Sequence, residues 1–164
     1  IKIMKESGAH AVKLEGGFQE RSSIERILQA GIPVMGHLGL TPQSIYKFGT
    51  YTVRAKEEAE AKQLIEDAKM LEEIGCFGLV LEKVPAHLAE KVASLVSIPV
   101  IGIGAGNGVD GQVLVLHDVL GLCDSKYRFA KHYADLRTST IEATQAFISD
   151  VRSGTFPDDA HSFH

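Results

Sequence analysis

The chain has 164 residues, enough for about one domain, and its 45% apolar and 23% charged content excludes a disordered or fibrous protein. A formal net charge of −4 leaves no basic footprint for nucleic acid, and the longest apolar stretch, Ile98 to Val109, is too short and glycine-rich to span a bilayer. No secretory leader is visible, and Cys76 and Cys123 form neither a disulfide framework nor a zinc motif, so a cytoplasmic protein is expected.

The chain opens Ile1-Lys2-Ile3-Met4, without an initiator Met, and passes at once from a helical segment into a strand. It reads as beginning in the middle of a domain. Ala9 to Leu14 is predicted as a strand, closed by Gly16-Gly17. Ser22 to Ala30 places Ile24, Ile27 and Leu28 at helical spacing, with Gly31 behind. Pro33 to Gly36 is a short second strand, followed by a polar loop from His37 to Arg54. The clearest helix carries Ala61, Leu64, Ile65, Ala68, Leu71 and Ile74 on one stripe and ends at Gly75.

Gly78 to Glu82 is the third predicted strand. Pro85 suits the first turn of a helix burying Leu88, Ala89, Val92 and Leu95. Ile98 to Ile103 is the fourth strand and Val113 to Leu116 the fifth. A last helix is expected from about Thr140 to Arg152, with Ser139 and Glu142 in capping-box register and Gly154 behind.

Short apolar strands alternating with amphipathic helices imply parallel strands covered by helices. Two α/β architectures fit. Length favours a doubly wound sheet; a (β/α)8 TIM barrel takes roughly 250 residues, so this chain would supply only part of one. In both, chemistry sits at the carboxyl ends of the strands.

The predicted first strand ends Val12-Lys13-Leu14-Glu15, with Lys13 and Glu15 on one face and Val12 and Leu14 on the other. Those two charges are either site residues or an ion pair on an exposed edge. His37 follows the second strand, as a site residue or a structural histidine. Glu82 ends the third, as a base with a raised pKa or as a carboxylate favoured by the next helix N-terminus. Gly106 to Gly111 formally matches G-x-G-x-x-G, but a strand is expected next, so the segment reads as a loop that lets a ligand approach closely. Two carboxylates, an imidazole and an ammonium in one mouth suit metal-assisted proton abstraction beside a carbonyl. One carboxylate would hold a hard cation, the other would be the base, and the lysine would neutralise a substrate carboxylate.

The strings Val12-Lys13-Leu14-Glu15-Gly16-Gly17, Gly36-His37-Leu38-Gly39-Leu40-Thr41-Pro42-Gln43-Ser44, Leu81-Glu82-Lys83-Val84-Pro85 and Ile98 to Asn107 occur in order along the chain. With Leu116-His117-Asp118 and the terminal His161-Ser162-Phe163-His164, they resemble the ketopantoate hydroxymethyltransferase family over essentially the whole chain. The resemblance implies a (β/α)8 barrel of the phosphoenolpyruvate mutase and isocitrate lyase type, with residues 1–164 as the C-terminal portion of a single domain lacking roughly the first three βα units. It implies transfer of a one-carbon unit from methylene-tetrahydrofolate to α-ketoisovalerate, giving ketopantoate for pantothenate synthesis. By resemblance, Glu15 lies at the Mg2+, Lys13 contacts substrate, Glu82 is the catalytic base and His37 lines the site. Lys83 departs from the family pattern, where a smaller or apolar residue is common.

The resemblance also implies a large homo-oligomer, a decamer in the family. No folate-binding residue is assigned; the glycine-rich loop and the segment Thr41 to Arg54 are the candidates. Residues 1–164 alone are expected to be inactive and prone to aggregate. The alternatives are a metal-enolate carbon–carbon lyase or mutase of the same superfamily, and a small doubly wound module binding phosphate at Gly104 to Gly108.

Overall fold

The structure, a computed structural model, describes residues 1–49, 52–124 and 127–164, without the side chains of Lys47 and Phe48. These residues form two compact units, 1–113 and 114–164.

The first unit opens with helix α1 (Lys2–Ser7), strand β1 (Val12–Glu15), a 3-10 turn (Phe18–Glu20) and α2 (Arg21–Gln29). Then come β2 (Val34–Gly39), a 3-10 turn (Pro42–Ser44), α3 (Ile45–Phe48), α4 (Glu58–Glu73) and β3 (Gly78–Glu82). It closes with α5 (Ala86–Leu95), β4 (Val100–Ile103) and β5 (Gly111–Gln112). The five strands pair in parallel in the order β1-β2-β3-β4-β5. A doubly wound sheet reverses its strand order at a switch point. This sheet does not, so the doubly wound alternative is set aside.

Side chains alternate faces along each strand. On one face Leu14, Leu79 and Val100 lie in register, with Gly36 between the first two. Val34, Leu38 and Leu81 share that face. They pack with Ile24 of α2, Leu64, Ala68 and Leu71 of α4, and Leu88, Ala89 and Val92 of α5 in one buried cluster. A Cβ on Gly36 would lie 2.7 Å from Leu71 Cδ1, so the strand is glycine where α4 crosses it. The opposite face carries Lys13, Glu15, Met35, His37, Val80, Glu82, Ile101 and Ile103.

Several expectations need correction. Strand β2 continues to Gly39, so His37 lies inside the strand and not in a loop after it. The fifth strand is Gly111–Gln112 and not Val113 to Leu116. In the glycine-rich loop, a Cβ on Gly106 would lie 2.4 Å from Ala86 Cβ and one on Gly108 2.8 Å from Glu90 Cβ, while Gly106 and Asn107 are exposed. Those two glycines admit the close approach of α5. Of the candidate segment Thr41 to Arg54, Thr50 and Tyr51 lie outside the described residues.

The second unit contains α6 (Leu116–Val119), α7 (Leu136–Ser153) and a 3-10 turn (Asp159–His161). Helix α7 begins four residues before the expected start. Its N-cap is Asp135, whose side chain accepts a hydrogen bond from Thr138 N–H, while Ser139 Oγ donates back to the Asp135 carbonyl. Gly154 takes the left-handed conformation behind the helix, as expected, with φ of 74°. No helix of the described residues is long and apolar enough to cross a membrane.

Candidate active site

The carboxyl edge of the sheet brings Lys13, Glu15, His37 and Glu82 together on its open face. Glu15 is the register partner of His37, and Glu82 ends the next strand opposite Gly39. A Cβ on Gly39 would lie 2.3 Å from the Glu82 carbonyl oxygen, and Leu40 N–H donates to that carbonyl at 2.8 Å. Gly39 has φ of 89°, so it turns the chain left-handed where β2 leaves the sheet.

His37 is the centre of the group and is 1% exposed. Its Nδ1 lies 2.9 Å from Lys13 Nζ and 3.5 Å from Glu15 Oε1. Its Nε2 lies 3.4 Å from Glu82 Oε2. A lysine ammonium donates only, so Nδ1 accepts from Lys13 and the ring proton sits on Nε2, on the Glu82 side. Nε2 is the fully buried side-chain polar atom left without a hydrogen-bond partner among the described residues. Native proteins rarely leave such a group unsatisfied outside functional sites.

Glu15 is held from two sides. Its Oε2 accepts from the Gln43 backbone N–H at 2.9 Å, and its Oε1 lies 3.7 Å from Lys13 Nζ. The Gln43 donor comes from the turn after β2, which sequence pattern cannot reveal because it is a main-chain group. After Glu82, Lys83 takes a left-handed conformation with φ of 49°. Its N–H donates to Ile103 O and its carbonyl accepts from Arg54 N–H. Arg54 also pairs with Glu60, which in turn accepts from Ala55 N–H.

No group of three or more His, Cys, Asp or Glu side chains that could hold a metal ion is present among the described residues. Mg2+ keeps several waters and takes one or two carboxylates. Glu15 fits that role as a hard oxygen donor, as a partial ligand set. The four expected residues are adjacent; Lys13 and Glu15 also form the ion pair of the alternative reading, on a strand at the edge of the sheet, with the Glu15 side chain 6% exposed.

Fold and site define a parallel α/β protein with acid–base groups at the carboxyl edge of its sheet, the layout of an enzyme. The chain belongs to the ketopantoate hydroxymethyltransferase family, whose model matches residues 1–159. It is 65% identical over 164 residues to the 3-methyl-2-oxobutanoate hydroxymethyltransferase of Christiangramia forsetii, covering 99% of this chain and 60% of that protein. The enzymes of the same description from Parabacteroides distasonis and Salinibacter ruber are 65% and 60% identical, each over 99% of this chain. The chain thus spans about three-fifths of the length of these relatives. Among solved structures, the YdjI aldolase from Escherichia coli K12 aligns over 72% of this chain and 50% of its own, with a TM-score of 0.41 and 19% identity. That likeness is too distant to carry an argument.

Proposed function

We propose that the protein transfers a hydroxymethyl group from methylene-tetrahydrofolate to α-ketoisovalerate, forming ketopantoate for pantothenate synthesis. Family membership supports the reaction class. The observation that carries the mechanism is the pair of carboxylates, Glu15 and Glu82, set on either side of one buried imidazole.

Glu82 is the base. Its carboxylate takes the β-proton of the keto acid, and the C–H electron pair forms the new C–C bond to the donor's methylene carbon. Both C–N bonds of that methylene break with their electrons on nitrogen, water supplies the hydroxyl, and tetrahydrofolate leaves carrying the two protons released by the keto acid and the water. Lys13, half-exposed beside the buried group, neutralises the substrate carboxylate. His37 accepts from Lys13 at Nδ1 and sets its unpartnered Nε2 3.4 Å from Glu82 Oε2, between the cation and the base. Glu15 would hold Mg2+, which when bound supplies Lewis-acid polarisation of the keto acid carbonyl.

The sheet is proposed to be an arc of a (β/α)8 barrel within one domain. Consecutive parallel order and helices packed on one face support this, since barrel strands meet helices on the outside and the site on the inside. Assembly as a homo-oligomer is proposed from the family alone, with light scattering as its check.

The test is turnover by the protein expressed from its complete reading frame, given α-ketoisovalerate, methylene-tetrahydrofolate and Mg2+. Ketopantoate is the expected product. Its absence, with a carbon–carbon lyase or mutase product in its place, would overturn the proposal.

A further inference from the structure

The turn after Glu15 contains two glycines, and the proposed chemistry uses neither. Gly16 has φ of 125°, a conformation that glycine alone adopts readily. Gly17 answers to a different constraint. A Cβ there would lie 2.1 Å from Asp67 Cγ and 2.2 and 2.5 Å from its carboxylate oxygens. Asp67, on α4, is 9% exposed. Its Oδ1 accepts from Phe18 N–H at 3.1 Å and from Gln63 Nε2 at 3.0 Å. Among the described residues it has no ion-pair partner.

Burying a carboxylate without a cation is costly, and side chains that remain so are usually held by a specific task. Phe18 opens the 3-10 turn that leads into α2, and Gly17 at its N-cap has no side chain to cap it. Asp67 supplies that cap from 49 residues away. Without it, the two consecutive glycines after Glu15 would keep two main-chain ties, Gly16 N–H on the His37 carbonyl at 3.0 Å and Glu20 N–H on the Gly17 carbonyl at 2.9 Å.

We infer that Asp67 is a positioning residue for Glu15: seated in the space left by Gly17, its carboxylate caps Phe18 and locks the Gly16-Gly17 hinge. The inference rests on the proposed role of Glu15. It touches neither substrate nor metal and acts through the β1–α2 turn alone.

The experiment compares Asp67→Ala, Asp67→Asn and Gly17→Ala in the protein expressed from its complete reading frame. Two readouts are taken: hydrogen exchange at the Phe18 amide, and the KM for the keto acid at limiting Mg2+. Asp67→Ala should speed Phe18 exchange and raise KM roughly 10- to 100-fold, the scale of a small misplacement of a site group, with a smaller change in kcat. Asp67→Asn keeps an oxygen for Phe18 N–H and should stay near wild type in both. Gly17→Ala should be damaging alone and less so in the Asp67→Ala background. Faster exchange with unchanged KM, an Asn variant as impaired as Ala, or additive effects of Gly17→Ala and Asp67→Ala would each overturn the inference. A wild-type protein that makes no ketopantoate would sink the functional reading instead; exchange at Phe18 and the Gly17–Asp67 cycle, read by thermal unfolding, would still decide whether Asp67 holds the turn.

Discussion

On one face of the sheet Val34, Leu38, Leu79, Leu81 and Val100 meet α2, α4 and α5 in a buried cluster. On the other face Lys13, Glu15, His37 and Glu82 stand among Met35, Val80, Ile101 and Ile103, none of which joins that cluster. The same four strands make both, because a two-residue period sends alternate side chains to opposite sides. Stability is therefore concentrated on one face and chemistry on the other. Substitutions can separate the two.

The largest loss of stability is expected from Leu71→Ala. Leu71 is fully buried under Gly36, and emptying such a site costs about 2–5 kcal/mol. Urea unfolding measures it; a change within about 0.5 kcal/mol, the range of an ordinary surface substitution, would put Leu71 outside the core. Gly36→Ala comes next, because its new Cβ would press on Leu71 Cδ1; overpacking costs about 1–3 kcal/mol. The two changes combined should cost less than their sum, since the shortened side chain makes room for the added methyl.

Substitution of a site carboxylate on the open face should cost less stability than these core changes and change function instead. Glu15→Gln is expected to weaken Mg2+-dependent keto acid binding roughly 10–100-fold, the loss usual when a metal site is weakened. Titrating KM against Mg2+ reads this, and an unchanged Mg2+ dependence would remove Glu15 from the metal. The smallest effect separates the cysteines. Burial pushes the Cys76 thiol up, whereas Cys123 is exposed. A thiol reagent at pH 8 should label Cys123 quickly and Cys76 only on unfolding.

How much of this was legible in the sequence follows from the range of each interaction. Strand β3 is legible at its observed limits because five residues, Gly78 to Glu82, carry their own apolar run and sit between Gly75 and Pro85. In the sequence, strand β2 reads as ending at Gly36 because a histidine inside a buried strand looks like the start of a loop. Only the flanking Lys13, Glu15 and Glu82 explain its place there. The pattern places the α7 start too late because Ser139 and Glu142 mimic a capping box, while the actual cap is Asp135 on Thr138 N–H. Asp67 left no local trace. Its partners on the β1–α2 turn are a glycine, recognised by the missing side chain, and a backbone amide. The Gln43 amide on Glu15 is of the same kind.

The central claim is that Glu82 removes the β-proton of the keto acid. It is tested most directly by proton NMR of α-ketoisovalerate in D2O, with Mg2+ and without the folate donor, using the protein expressed from its complete reading frame. The wild-type protein should wash deuterium into the β-position. Glu82→Gln should slow that exchange by about 10²–10⁴-fold, the usual contribution of a general base, with Mg2+ and keto acid binding and thermal stability retained. Exchange in Glu82→Gln near the wild-type rate would contradict the account and move the base elsewhere in the site.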